Sequence, residues 1–239
     1  MQWPRGSGRR RNPATARQGE WAGPWRGHDP CTTRIGMMID MVDQPQPTPP
    51  HPAYPLRTRR LSLRPLTGRD IDALLTYRAD AEVCRYLPFE PMTRTDIEQH
   101  LASRWAGTWL TAEGQELRLG VELAATGELI GDVVLFWHSR KHRGGEIGYV
   151  LHPALQGHGY ATEAARAVLS LGFDVLGLYR IVARIDERNG ASTRIARRLG
   201  MRQESRLVHN EVFKGEWRTR LDFAMLADEW RLAQRSRLE

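Results

Sequence analysis

Lysine is almost missing from this chain. Lys141 and Lys214 are the only two, and arginine supplies the rest of 35 basic residues set against 28 acidic ones, for a net charge of +7 over 239 residues. Such an arginine surplus suits phosphate or nucleic-acid partners. It follows equally from the codon usage of a GC-rich genome. The arginines are not gathered into one block, so the second reading is preferred and no nucleic-acid partner is expected. Cysteine is as scarce: Cys31 and Cys84 cannot build a disulfide framework, which points to a reducing compartment and a cytoplasmic location. The two cysteines lie far apart in the chain, and His100, His138, His142, His152, His158 and His209 show no ligand spacing, so no metal is expected. No apolar run approaches the ~18 residues of a membrane-spanning helix, and no membrane partner is expected. What remains is 41% hydrophobic, enough for one globular domain with an appendage.

Residues 1–55 hold ten of the 14 prolines and show no sustained apolar period. A stretch of that kind buries too little apolar surface to offset its ordering entropy. A disordered Pro- and Arg-rich extension is expected there, with residues 45–55 as a stiff linker. It does not read as a secretory signal, because Met37–Val42 is short and broken by Asp40. Met37, Met38 and Met41 all precede the linker and offer alternative starts. The folded domain is expected over residues 56–239.

From there the pattern alternates between periods. Residues 59–65 alternate apolar and polar, as a half-buried strand does. Asp70 offers an N-cap to a helix carrying Ile71, Leu74, Leu75 and Arg78 on one face. Thr95 or Asp96 opens a second helix, with Ile97, Leu101 and Trp105 aligned. Strands over 117–124 and 129–137 flank Ala125-Thr126-Gly127 and read as a hairpin. A strand over 146–152 ends at Pro153, a helix follows from Thr162 to about Phe173, and 180–186 is another strand. Asn189 starts one more helix, which Gly200 ends. Closing strands are expected near 204–211 and 219–226. The order predicts an α/β (α+β) fold with a mixed sheet of about seven strands and about four helices.

The chemistry concentrates where the strand over 146–152 meets the next helix. Gly157 and Gly159 let backbone amides approach a ligand, and the helix N-terminus that follows favours an anion. Three readings compete with a glycine turn that merely rounds a corner. A Walker A loop is excluded, since no Lys-Ser or Lys-Thr follows the glycines. A dinucleotide fingerprint has Gly157-x-Gly159 and Asp186 in its favour, but Thr162 stands where its third glycine belongs, and no leading βαβ unit precedes it. The third reading draws on more of the chain.

Gln156-x-x-Gly159-x-Ala161 resembles the pyrophosphate loop of the GCN5-related N-acetyltransferases. Four further segments resemble the RimJ/RimL-like branch of that family, which includes ribosomal-protein N-terminal acetyltransferases. They are Leu61–Pro65, Glu128-Leu129-Ile130-Gly131, Glu146-Ile147-Gly148-Tyr149-Val150, and Asn189-x-x-Ser192 with Leu199-Gly200-Met201. Lys214-Gly215-Glu216-Trp217 adds a fifth, and the resemblance spans residues 56–232 in the family's order.

The resemblance implies a sheet splayed between its fourth and fifth strands, with acetyl-CoA as cosubstrate in the gap. Pantetheine would pair with the backbone of Tyr149, Val150 and Leu151. Gln156, Gly157, His158, Gly159, Tyr160, Ala161 and Thr162 would hold the pyrophosphate, and Asn189 the cofactor arm. It implies transfer of an acetyl group to a primary amine, on a protein N-terminus or a small molecule, by direct attack in a ternary complex. In the RimL-like branch the proposed acid and base fall on Ser192 and Glu211; Glu146 is a rival base. The tyrosine that many relatives use as acid is replaced by Ala196, and an ordered water is a further option for the base. Each candidate has a plainer reading. Asn189 caps a helix, Ser192 bonds local backbone, Glu211 is a solvated rim carboxylate, and Glu146 pairs with Arg143 or Arg180. Trp105 and Trp109 read as core. A non-catalytic acyl-CoA-binding regulatory module is the alternative function, since it needs only the loop. The exposed last strand leaves a homodimer open. No dense acidic cluster is present for a polycationic acceptor.

Overall fold

The computed structural model describes residues 50–235. Of the disordered extension and linker expected over residues 1–55, residues 1–49 lie outside the described residues. Within the stretch expected as linker, the Tyr54 hydroxyl donates to the Thr108 carbonyl at 2.8 Å, and His51 Nε2 lies 3.2 Å from Thr108 Oγ1.

One sheet carries the domain. Its strands are β1 (Leu56–Arg57), β2 (Leu61–Pro65), β3 (Glu116–Leu123), β4 (Leu129–Ser139), β5 (Gly144–Leu151), β6 (Arg180–Asp186), β7 (Arg202–Phe213) and β8 (Glu216–Leu226). They lie in the order β1-β2-β3-β4-β5-β6-β8-β7. Every neighbouring pair is antiparallel except β5 and β6. Eight strands among the described residues stand against the seven expected, and the additional one is β1, whose two residues are too few to show a period.

Among the described residues six α-helices flank the sheet: α1 (Ile71–Arg78), α2 (Ala81–Cys84), α3 (Arg94–Ala102), α4 (Tyr160–Ser170), α5 (Gly190–Leu199) and α6 (Ala227–Arg235). The sequence pattern suggested about four. Single-turn α2 exists because the Asp80 side chain accepts from Glu82 N and Val83 N. Helix α6 begins directly at the end of β8, with no loop to mark the change. Helix α3 is capped by Thr93, not Thr95 or Asp96, in a reciprocal box with Asp96. Helix α4 starts at Tyr160, earlier than expected, because Gly159 itself is the N-cap with φ at 82°.

The parallel pair β5·β6 is short. It joins Gly144–Glu146 to Arg180–Val182 and then stops. Beyond it, residues 147–151 and 183–186 part company, so the sheet opens as a V. Each arm keeps its outer partner: β5 stays paired with β4 through Leu151, and β6 with β8 through Asp186. Alternation along β5 then divides the space. Ile147, Tyr149 and Leu151 join the main core under α4, which contributes Ala164, Ala165, Val168 and Leu169. Val150 points the other way, into a second cluster with Leu74, Tyr77, Ile97 and Trp105 beneath α1 and α3.

Close approach of β4 to β5 depends on Gly131. A Cβ there would lie 2.3 Å from the Val150 carbonyl oxygen and 2.5 Å from Leu151 Cδ2. Gly131→Ala is expected to lower the unfolding free energy by roughly 1–3 kcal/mol. Urea unfolding checks this, and a change inside about 0.5 kcal/mol, the ordinary surface range, would show that the arm yields freely.

Candidate active site

The loop after β5 is built to leave amides uncovered. His152 Nδ1 accepts from Ala154 N at 3.2 Å and sets a short turn over Pro153–Leu155. Gly157 and Gly159 then take φ values of 83° and 82°, a region that side chains disfavour. Helix α4 starts on Gly159 without any side-chain cap, so its leading amides keep no partner of that kind. Beside them, Thr162 Oγ1 is buried with no hydrogen-bond partner. Gln156 turns away from the loop and donates Nε2 to the Leu151 carbonyl at 3.2 Å, which ties the loop to the end of β5.

Arg60 completes the loop's frame, and the sequence reading missed it. Its Nη1 donates to the His158 carbonyl at 3.0 Å, its Nε to Glu163 Oε2 at 2.8 Å, and its guanidinium lies over the Tyr160 ring. Burial would push the Glu163 carboxyl up, but Thr58 and Arg60 outweigh it and hold it below the usual range. The one acid in the first turn of α4 is thereby neutralised. Arg59, Arg60 and Arg198 line a hollow against Thr162. Uncovered amides, an orphaned hydroxyl and arginines form a donor set that fits a pyrophosphate with further phosphate nearby. No arginine motif in the sequence marks this, because Arg60 and Arg198 are distant in the chain.

Two cavities meet in the V. One runs from the glycine loop between α4 and α5. The other lies between β5, β6 and the segment over 86–105. They share Tyr86, Leu87, Tyr149, Val150, Asn189 and Ser192. Of the loop residues expected at the cofactor, Gln156, Gly157, Gly159, Tyr160, Ala161 and Thr162 line the first cavity, as does Leu151. His158 is not in its wall; it stacks on Tyr160 at 5.7 Å. Tyr149 spans the junction by donating its hydroxyl to the Ser192 carbonyl at 3.1 Å. Burial pushes that phenol up, so it stays a neutral donor. Asn189 caps α5, its Oδ1 accepting from Ser192 N at 3.0 Å, and also faces both cavities.

The carboxylate candidates separate. Glu146 lines the second cavity at the last paired position before the V opens. It pairs with Arg184 across the V and with His138 at 2.9 Å, not with Arg143 or Arg180. Glu211 lines neither cavity. It binds Arg218 at 2.9 Å and Arg220 at 3.5 Å, and touches the second cavity only through Arg218. Burial would raise its carboxyl; Arg218 and Arg220 together hold it below the usual range.

Beneath the second cavity lies a buried ionic group that periodicity concealed. Arg78 sits on the apolar face of α1 and is fully buried, as is Asp132 on β4. Asp132 accepts from Arg78 at 2.6 Å and 3.1 Å, from Arg118 at 2.6 Å and from the Tyr77 hydroxyl at 2.9 Å. Trp105 is buried as expected, yet it also forms cavity wall. The segment over 84–89 is braced by Lys214 from the β7–β8 turn, whose Nζ donates to the carbonyls of Cys84 and Phe89. Among the described residues, no group of three or more His, Cys, Asp or Glu could hold a metal, and no helix is long and apolar enough to cross a membrane.

Comparison with known proteins agrees with this geometry. Residues 60–202 match the family model of the acetyltransferase (GNAT) domain. The chain is 32% identical over 176 residues to the uncharacterized N-acetyltransferase YnaD of Bacillus subtilis, covering 73% of this chain and 98% of that one. It is 29% identical over 175 residues to spermidine N(1)-acetyltransferase of Escherichia coli, covering 71% and 88%. The crystal structure of a GNAT-family acetyltransferase from Bacillus anthracis superposes with a TM-score of 0.65 at 29% identity, over 73% of this chain and 99% of that one.

Proposed function

The chain belongs to the GNAT acetyltransferase family, and from that premise we propose that it carries the acetyl group of acetyl-CoA to a primary amine by direct attack in a ternary complex. The observation that carries the proposal is the meeting of the two cavities at Tyr149, Val150, Asn189 and Ser192, one leading from an anion loop and one from a pocket with a carboxylate. The five motifs in family order support placing the chain beside the RimJ/RimL-like branch. A buried free thiol at Cys84 is in keeping with a cytoplasmic location.

Acetyl-CoA supplies an acetyl group activated as a thioester. The unpaired inner edge of β5 over Tyr149–Leu151 receives pantetheine as an added strand. The amides of Gly157–Thr162 and the Thr162 hydroxyl take the pyrophosphate, with Arg59, Arg60 and Arg198 beside them. A protonated amine must lose a proton before it attacks. Glu146, Gly148 and Val150 share one face of β5, and Gly148 leaves the line between the other two without a side chain. Four residues of strand span ~13 Å, more than a glutamate reaches, so ordered water relays the proton to Glu146. His138, half exposed, passes it outward. A backbone amide on the open edge of β5 beside Val150, that of Tyr149 or Leu151, is the donor for the developing oxyanion. Ser192, on the shared wall, gives its hydroxyl proton to the leaving thiolate and takes one back from solvent water. Glu211 serves as a positioning residue through Arg218.

Calorimetric titration of acetyl-CoA into the full chain tests the premise, with Gly159→Glu as control. Micromolar binding is expected, weakened about 100-fold or more by the variant, which sets a carboxylate on the anion loop at a left-handed backbone position. Circular dichroism would establish that the variant folds. Absence of binding to the folded wild type would sink the proposal. Binding without turnover on any amine would leave the acyl-CoA-binding module standing instead.

A further inference from the structure

The acceptor cavity is short of negative charge. Arg78, Arg104, Arg118, Arg184 and Arg218 all line it. The carboxylates that pair with these five are Asp132, Glu116, Glu146 and Glu211, and each is shared. Asp132 serves Arg78 and Arg118. Glu116 serves Arg104 at 2.8 Å and Arg118 at 3.5 Å. Glu146 serves Arg184 and His138, and Glu211 serves Arg218 and Arg220. Asp186, the other acid in the wall, is taken by Arg188 at 2.9 Å. One positive charge is left over, and it belongs to the end of the cavity where Arg78, Arg104 and Arg118 converge.

That end also holds unused donors. Arg104 engages Glu116 through Nε, and its two Nη groups make no hydrogen bond among the described residues. Arg118 Nε is buried with no partner. Fully buried Arg78 has Nη1 opposite only the Met92 thioether, at 3.9 Å. The Trp105 ring centroid lies 4.6 Å from the Arg78 guanidinium carbon and 4.9 Å from that of Arg118, so both guanidinium groups rest against one aromatic ring. His100, stacked on Trp105 at 4.7 Å, feels the same field: burial first, then Arg104, Arg78 and Arg118, hold its imidazole below the usual range. Glu146 lies in the same cavity, where the reacting amine must come. The surplus of guanidinium thus sits at the Arg78–Arg104–Arg118 end, while Glu146 elsewhere in the wall balances Arg184.

We infer that the acceptor is a small amine that itself carries a carboxylate, of the amino-acid class, with the carboxylate bound at the Arg78–Arg104–Arg118 end and the amine turned toward Glu146. This rests on the acetyltransferase reading above and narrows its acceptor. Charge complementarity selects a zwitterion and works against a polyamine, whose every nitrogen would bring like charge against the arginines. Arg104 supplies the exposed fork that meets the carboxylate first, while Arg78 and Arg118 are fixed beneath it by Asp132.

Thiol release from acetyl-CoA by the full chain tests this with matched acceptors: L-amino acids, their α-carboxamides, and spermidine. The amino acids are expected to exceed their carboxamides by about tenfold or more in kcat/KM, the worth of a charge-assisted contact. Arg104→Ala is expected to lower the preference for amino acids over their carboxamides about tenfold, chiefly through KM for the carboxylates, with Arg104→Lys restoring part of the loss. Added salt should raise KM for the carboxylate members alone. Equal rates within matched pairs, or a preference for carboxamides or spermidine, would overturn the inference while acetyl transfer stands. Turnover on no amine despite bound acetyl-CoA would overturn it together with the transferase reading. Failure of acetyl-CoA to bind the folded chain would mark the fault as lying in the cofactor site.

Discussion

Replacing Asp132 by asparagine is expected to lower the unfolding free energy by about 3–5 kcal/mol, the usual result of removing one partner from a buried ion pair. Both Asp132 and Arg78 have no solvent exposure, and Arg118 has almost none. The single carboxylate neutralises one guanidinium and hydrogen-bonds both. An amide in its place leaves buried Arg78 without a counter-charge and Arg118 with Glu116 alone at 3.5 Å, and turns a donor toward donors. Burial alone would raise the Asp132 carboxyl; Arg78 and Arg118 outweigh it and hold it below the usual range. A depressed folded-state pKa means the stabilisation is complete above the ordinary carboxylate range, near pH 4, and fades as pH falls through the lower folded value. The variant should therefore be weaker at neutral pH and show less acid sensitivity below about pH 4 than the wild type. Urea unfolding at both pH values checks this. A loss under about 1 kcal/mol at pH 7 would mean that water reaches these arginines and no buried pair exists. The same network ties α1 to the sheet across the acceptor cavity, so the variant should also lose acceptor affinity before it loses acetyl-CoA binding.

Glu146→Gln is expected to lower kcat by about 10²–10⁴, the range for loss of a general base, with acetyl-CoA affinity unchanged. Its carboxylate lines the acceptor cavity at the opening of the V, and Gly148 adds no side chain of its own between it and Val150. Glutamine keeps the size and one hydrogen-bond acceptor, so the pairing with Arg184 weakens without a cavity forming. Measured beside it, Glu211→Gln separates the two carboxylates that the sequence offered. A fall in kcat at Glu211 with none at Glu146 would move the base to β7 and overturn this assignment. Loss at neither would point to ordered water alone as base.

Much of the site was legible because its residues lie close together in the chain. Gly157, Gly159 and Thr162 sit within one turn, and their local spacing settles that a strand ends, backbone amides open and a helix begins, whatever packs around them. Asn189 and Ser192 are three residues apart, so capping alone brings them together. The short parallel pair that opens the V follows the order of motifs that marks the family. Boundaries were less readable. Thr93 takes the cap from Thr95 or Asp96 by a reciprocal bond that pattern reading ranks no higher, and the two residues of β1 become a strand only through Leu63 and Ser62 on β2.

The order of elements, the glycine loop, the capped helix behind it and the apolar faces that bury α4 were thus determined by the sequence itself, since each depends on neighbours within a few residues. Only the tertiary structure decided which charges meet. Arg78 counted as a member of an apolar stripe until Asp132 and Arg118 arrived from other strands; Glu146 chose Arg184 over Arg143 and Arg180; Glu211 turned away toward Arg218. Long side chains reach ~6–7 Å from their backbone, and an ion pair's strength depends on separation and burial, neither of which is written along the chain. Helical and strand periods record which face is buried, but not whether an arginine on that face will find its carboxylate.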